Sequence, residues 1–203
     1  MPSCGRCRRC LEGRPYICER SISPRAAGQL LSGHHRLHHD GKPVHHHSGV
    51  SCYAEYAVVD RGSVVVIDKS LPLDVAALFG CAVVTGVGAV INTAQIQPGS
   101  TVAIVGLGGV GLSGLMGAVL AGAGRIVAID LSDDKLGLAR QLGATDTVNA
   151  KDADHVQQVR DLTNGGVDYA FDLAGTIKAM ETAYLVTRWG GTTVTAGLSP
   201  IAA

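Results

Sequence analysis

The chain is short of charge. Of 203 residues, 17% are Asp, Glu, Lys or Arg, against a usual share of about 25%. Seventeen basic and seventeen acidic residues leave no net charge. A nucleic-acid binder normally carries a basic face, so this balance argues against one. Proline is also scarce, at 7, while glycine numbers 27, about twice its usual share. Abundant glycine without proline points to tight turns and close backbone packing, not to a linker. With 46% hydrophobic residues, intrinsic disorder is excluded, and the length suffices to bury a real core.

An apolar leader is lacking as well. Met1 is followed by Pro, Ser, Cys and three arginines, with no h-region of a secretory signal. The expectation is a cytoplasmic protein whose six cysteines stay reduced, where metal binding outranks disulfides. The longest charge-free run, Val75 to Gly124, raises the question of a membrane span. It contains Asn92, Gln95, Gln97, Pro98 and many glycines. These breakers favour a buried core over a membrane segment. There is no internal repeat, and the only low-complexity feature is a histidine cluster.

From about residue 75 onward, strand-like and helix-like patterns alternate. Strands are predicted at 100–105, 125–129, 146–148, 167–172 and 191–196. Helices are predicted at 110–121, 133–142, 153–163 and 177–189. This order implies βαβ units in an α/β fold, a doubly wound parallel sheet of Rossmann type. Upstream, residues 51–59 alternate and predict a half-buried strand that buries Cys52.

Cys4, Cys7, Cys10 and Cys18 are spaced C-x2-C-x2-C-x7-C. Four thiolates can close a tetrahedron around zinc, and with four protein ligands such a site is structural. Arg6, Arg8 and Arg9 would offset its negative charge. An iron–sulfur cluster and unliganded thiols are the alternatives. The iron–sulfur run, however, wants its fourth cysteine after three residues, followed by proline.

Thr101 to Val105 leads into Gly106-Leu-Gly-Gly-Val-Gly111 and then an apolar stretch. That is G-x-G-x-x-G in its required context, strand before and helix after. Gly106 suits the tight turn, Gly108 the close approach of a pyrophosphate, and Gly111 helix–strand packing. Gly109 has no assigned role. The helix N-terminus offers free N–H groups to phosphate. Asp130 ends the next strand, nineteen residues after Gly111, where an acid accepts the adenosine ribose 2′-hydroxyl. Leu131 follows instead of an arginine, which favours NAD over NADP. Asp130 could instead cap the next helix, but Ser132 could do that equally well.

These motifs, in this order, resemble the zinc-containing medium-chain alcohol dehydrogenases over nearly the whole chain. The cysteine loop is similar to that family's structural zinc lobe. The stretch 45–59 is similar to the start of a strand in its GroES-like catalytic domain. Phe79-Gly-Cys-Ala-Val-Val-Thr-Gly86 is similar to the segment that supplies a cysteine to the catalytic zinc, here Cys81. The resemblance implies a partial GroES-like domain at 1–75 and a Rossmann NAD-binding domain at 76–203. It implies that Thr85, Gly106, Gly108, Gly109, Val110, Gly111, Asp130 and Lys135 serve the cofactor, with Thr85 beside the nicotinamide and Lys135 near the ribose. Implied cofactors are NAD and zinc, and the implied reaction is hydride transfer from an alcohol, or a hydroxymethyl-thiol adduct, to NAD. The implied partner is a small alcohol or aldehyde, with no nucleic acid or membrane, in a homo-oligomeric intact protein.

Two departures shape the expectation. In that family the other catalytic-zinc ligands, a cysteine and a histidine, precede the structural lobe, yet only three residues precede Cys4. The sixth Rossmann strand would follow Ala203. The chain therefore reads as the middle of a dehydrogenase, with no turnover on its own, an incomplete catalytic zinc site at Cys81 and an exposed sheet edge. A non-catalytic NAD-binding module is the rival reading, and an iron–sulfur electron carrier a weaker third. Three side features remain. His34, His35, His38, His39, His45, His46 and His47 read either as a solvated loop or as a metal-binding tract. His155 reads as a helix-surface residue. Asp172 ends the fourth strand, where it serves a ligand or caps the next helix. On the residues alone, Cys81 reads as a small buried hydrophobe.

Overall fold

A computed structural model describes residues 2–198. The chain divides into two compact units, Met1–Ser70 and Leu71–Ala203.

In the first unit the cysteine loop contains a single helical turn, α1 (Arg8–Leu11), and a second short helix follows, α2 (Ile22–Ala26). A small antiparallel hairpin pairs β1 (Leu37–His39) with β2 (Lys42–Val44). Asp40 and Gly41 between them both have positive φ, 48° and 73°, the conformation a two-residue hairpin turn demands. The histidine cluster wraps around this hairpin. His46 is buried, accepts the backbone N–H of Arg36 at 3.0 Å and contacts the Val50 carbonyl at 3.3 Å. The rings of His35 and His45 stack with centroids 5.6 Å apart. The tract is thus a folded loop around one buried histidine. Among the described residues no histidine joins a metal-holding group.

The predicted strand at 51–59 is not formed. Tyr53 and Tyr56 are fully exposed and Cys52 is exposed, not buried. Alternation specifies which face a strand would bury, but a strand also needs a hydrogen-bonded neighbour. No described residue pairs with this segment.

The second unit opens with a short helix, α3 (Leu73–Ala76), then α4 (Ala82–Gly88), which runs on into a π-helical turn, Ala89–Ala94. Five strands follow: β3 (Thr101–Val105), β4 (Arg125–Asp130), β5 (Asp146–Asn149), β6 (Val167–Asp172) and β7 (Thr187–Thr195). Between them lie α5 (Gly109–Leu120), α6 (Asp133–Gln141), α7 (His155–Leu162) and α8 (Ile177–Val186). The sheet order is β5-β4-β3-β6-β7, with every pairing parallel. The chain works outward from β3 to β5, then returns to the other side of β3. The doubly wound reading holds.

Helices cover both faces, so the central strands β3 and β4 are apolar apart from Thr101, Arg125 and Asp130 at their ends. Along β3, Val102 and Ile104 face a core completed by Leu115, Ala118, Leu136 and Ala139 from α5 and α6. Ala103 and Val105 face a second core with Val159, Ala183 and Val186 from α7 and α8. The charge-free run supplies α4, β3 and α5. Among the described residues no single helix is long and apolar enough to cross a membrane, and the apolar segments Leu73–Gly80 and Ala82–Ala94 are broken by a 49° bend.

Two boundaries differ from expectation. The helix predicted to residue 189 ends at Val186, and the strand predicted from 191 begins at Thr187. The Thr187 hydroxyl donates to the Ala183 carbonyl at 2.8 Å while its backbone turns extended. The register then slips: Val167 pairs with Thr187 but Tyr169 with Thr192. The extra residues bulge out around Trp189 and Gly190, where φ is +74°.

Candidate cofactor cleft and metal centre

The loop after β3 is built on its glycines. Gly106 has φ +90°, and a Cβ there would lie 2.5 Å from Ala174 Cβ. A Cβ on Gly111 would lie 1.7 Å from the Gly106 carbonyl oxygen, against 3.9 Å from Ile104 Cγ2 on the strand. Gly111 is therefore needed less for helix–strand packing than for the loop to fold back on itself. A Cβ on Gly108 would meet nothing within 4 Å. Gly108 is also the N-cap of α5 and offers no side-chain acceptor. The first-turn N–H groups, from Gly109, Val110 and Gly111, lack that usual partner.

Asp130 anchors the loop from the next strand. Its Oδ2 accepts the Leu107 N–H at 2.7 Å and its Oδ1 the Ser132 N–H at 3.0 Å. Lys135 Nζ stands 3.8 Å from Oδ2. Ser132 sits at the N-cap of α6 but makes no side-chain cap bond. The carboxylate has room for more donors, since two oxygens offer about four acceptor sites.

A cavity of about 740 Å³ opens over the carboxyl ends of β3, β4 and β6. Its rim runs from Gly106, Leu107 and Gly108 past Asp130 and Lys135 to Ala150, His155, Thr176 and Thr182. Open α/β sheets bind ligands at such a reversal of strand order. His155 is thus not a plain surface residue: it lines the cleft, half-buried. Asp172 is wholly buried. It accepts the N–H groups of Ala174 and Gly175 at 3.1 and 3.3 Å and the Thr195 hydroxyl at 2.8 Å. It ties the turn after β6 to β7, while Thr176 caps α8 by accepting the Ala179 N–H.

In the other unit, Cys4, Cys7, Cys10 and Cys18 bring their sulfurs within 4.8 Å of one another, with Cys7 Sγ 3.5 Å from Cys10 Sγ and 3.8 Å from Cys18 Sγ. All are free thiols. Four sulfurs at the zinc–thiolate distance of about 2.3 Å around a tetrahedron would be about 3.8 Å apart. The spacing fits a metal and is far too long for disulfides. The backbone N–H of Cys10 foremost, with other hydrogen bonds, lowers the Cys7 thiol to about 6. Loss of solvent and the bond to Cys7 raise Cys10 to about 11. Such crowding resists full ionisation, and a divalent cation relieves it. Arg8 and Arg9 both pair with Glu12, at 2.7 and 3.1 Å, so their charge is already partly offset locally.

Residues 109–203 match the family model of the zinc-binding dehydrogenases. Among solved structures, an alcohol dehydrogenase zinc-binding domain protein from Burkholderia ambifaria is 33% identical with a TM-score of 0.89, over 99% of this chain and 55% of that one. Benzyl alcohol dehydrogenase from Acinetobacter calcoaceticus is 32% identical with a TM-score of 0.87, over 98% and 53%. An NAD-dependent alcohol dehydrogenase is 31% identical with a TM-score of 0.74, over 97% and 51%. Residues 109–203 thus carry the pattern of a zinc-binding dehydrogenase domain, and the chain as a whole is similar to alcohol dehydrogenases. It spans about half the length of these relatives.

The remaining predicted positions are scattered. Thr85 is half-buried in α4 and does not line the cleft. Cys81 is exposed at the N-cap of α4, not the buried hydrophobe its apolar neighbours suggest. Among the described residues it belongs to no group of three or more metal-ligating side chains. Sequence reasoning missed His155 and Thr182 as cleft residues. The only signal was position: His155 opens the helix that follows the carboxyl end of β5.

Proposed function

We propose that this chain is the NAD-binding and structural-zinc portion of an oxidoreductase that moves a hydride between an alcohol and NAD. The observation that carries the reading is the cleft, where the glycine loop and the Asp130 carboxylate share one rim at the switch point of the sheet. In this reading the N–H groups of Gly109, Val110 and Gly111 hold the pyrophosphate against the open face left by Gly108. Asp130 accepts the ribose hydroxyls of adenosine, and Lys135 lies alongside. Thr85 sits near the nicotinamide. NAD supplies the hydride acceptor, and the protein's part is to position it and to set the local field. Cys4, Cys7, Cys10 and Cys18 hold a zinc that keeps their loop folded.

A catalytic zinc does not fit on the described residues, because Cys81 has no partner ligands there. That observation favours a second reading, in which this chain binds NAD without turning over. The isolated chain is expected to bind NADH more tightly than NADPH, by fluorescence titration, and to form no NADH from alcohols or hydroxymethyl thiols. Failure to bind either dinucleotide would refute the cofactor reading. Alcohol-dependent NADH formation would refute the second reading and leave the first.

A further inference from the structure

The lining of the cleft also holds a polar pair with an unusual constraint. His155 opens α7 and Thr182 lies in the second turn of α8. His155 Nδ1 is 2.8 Å from the backbone carbonyl of Asp152, and Nε2 is 3.0 Å from Thr182 Oγ1. A carbonyl can only accept, so in the neutral ring Nδ1 carries the proton. Nε2 is then an acceptor, and the Thr182 hydroxyl must donate to it. Thr182 is 7% exposed and has no other side-chain partner among the described residues. Its oxygen keeps free lone pairs but has no proton left to give. Both His155 and Thr182 line the cleft. Leu131 and Ile177, each more than half exposed, add apolar side chains to the same lining.

We propose that this pair selects the purine of the bound nucleotide: it accepts from a 6-amino group and rejects a 6-oxo group. The inference rests on the dinucleotide reading of the cleft. An adenine placed against the apolar lining would present its exocyclic amine, a donor, to Thr182 Oγ1. A hypoxanthine or guanine would present a carbonyl oxygen, and two acceptors would face each other with no proton between them. An unmatched buried polar contact is expected to weaken binding about tenfold or more. The relay through His155 makes the choice strict, because a threonine free to rotate could donate to a 6-oxo group as readily as it accepts from a 6-amino group.

The test compares NADH with reduced nicotinamide hypoxanthine dinucleotide, which differs only at the purine, in titrations of the full chain. The expected result is binding of the hypoxanthine form at least tenfold weaker. Thr182→Val, close in volume, should bring the two affinities within about threefold. His155→Leu should do the same by freeing the hydroxyl. Equal affinities in the unsubstituted chain overturn the proposal while leaving the dinucleotide reading intact. So does a His155→Leu chain in which both ligands weaken but their ratio stays, because that is the signature of a structural role only. Binding of neither ligand refutes both readings.

Discussion

The Asp130 carboxylate at the end of β4 accepts the backbone N–H of Leu107, in the loop after β3, at 2.7 Å. One side chain thus shapes the glycine loop and, in the proposed function, meets the ribose. Asp130→Ala removes both contacts and should weaken NADH binding at least tenfold in a fluorescence titration. Asp130→Asn keeps the side chain's volume and one of its two acceptors for backbone N–H groups, and removes the negative charge that disfavours a 2′-phosphate. It should narrow the preference for NADH over NADPH. An unchanged NADH affinity in Asp130→Ala would remove Asp130 from the site.

The two ends of the glycine loop should separate folding from binding. At Gly106 an added methyl group meets Ala174 and the backbone has φ +90°. Gly106→Ala should cost about 2 kcal/mol or more and lower Tm by about 5 °C or more. At Gly108 φ is −76° and the space is open. Gly108→Ala should leave Tm within about 2 °C yet weaken NADH, because the methyl group occupies the approach of the pyrophosphate. Equal Tm losses in both variants would show that the space at Gly108 is not a ligand's.

The four clustered sulfurs should carry about one zinc per chain by elemental analysis. A thiol reagent without chelator should modify Cys52 and Cys81 rapidly, both being exposed. With a strong chelator all six should react. Cys10→Ser should release the zinc and expose Cys4, Cys7 and Cys18 to the reagent. Rapid reaction of all six without chelator would contradict a metal centre.

Two carboxylates at the amino-terminal edge of the sheet should give the fold an acid limit. The Thr101 N–H foremost, with Arg188 at 2.6 Å and the Thr101 hydroxyl, holds Asp168 below its ordinary 3.8. The paired guanidinium of Arg125, at 2.8 Å, does the same for Asp146. A depressed carboxyl stabilises the fold fully above its unfolded value and loses that contribution as pH falls through the folded value. The urea midpoint should be flat near neutrality and fall below about pH 4. Asp168→Asn should lower it at pH 7 and flatten the acid fall. An acid limb of unchanged slope would assign the loss to other groups.

The order of elements in the second unit was legible because it rests on local patterns. Val102 to Val105 is apolar along its length since helices cover both faces, and a continuous apolar run signals such a strand wherever it lies. The Gly106–Gly111 loop was legible for a similar reason, as the positive φ at Gly106 and the close approach of Gly111 to the Gly106 carbonyl arise within six residues, although the contact of Gly106 with Ala174 does not. The Cys4–Cys18 cluster closes within fifteen residues, so its spacing already constrained its geometry.

Other features depended on partners distant in the chain. The stretch 51–59 alternates as a strand should, yet no described neighbour pairs with it, and periodicity says nothing about pairing. The slip at Trp189 arises where β7 meets β6, an event between strands and not within one. His155 and Thr182 are 27 residues apart and meet only because α7 and α8 pack side by side on the sheet. The sequence by itself determined the alternation, the glycine loop and the cysteine site, whose physics is short-range. Only the tertiary structure decided which polar groups share the cleft and which of their atoms face one another, since hydrogen bonds are settled by distances between elements that the sequence order does not specify.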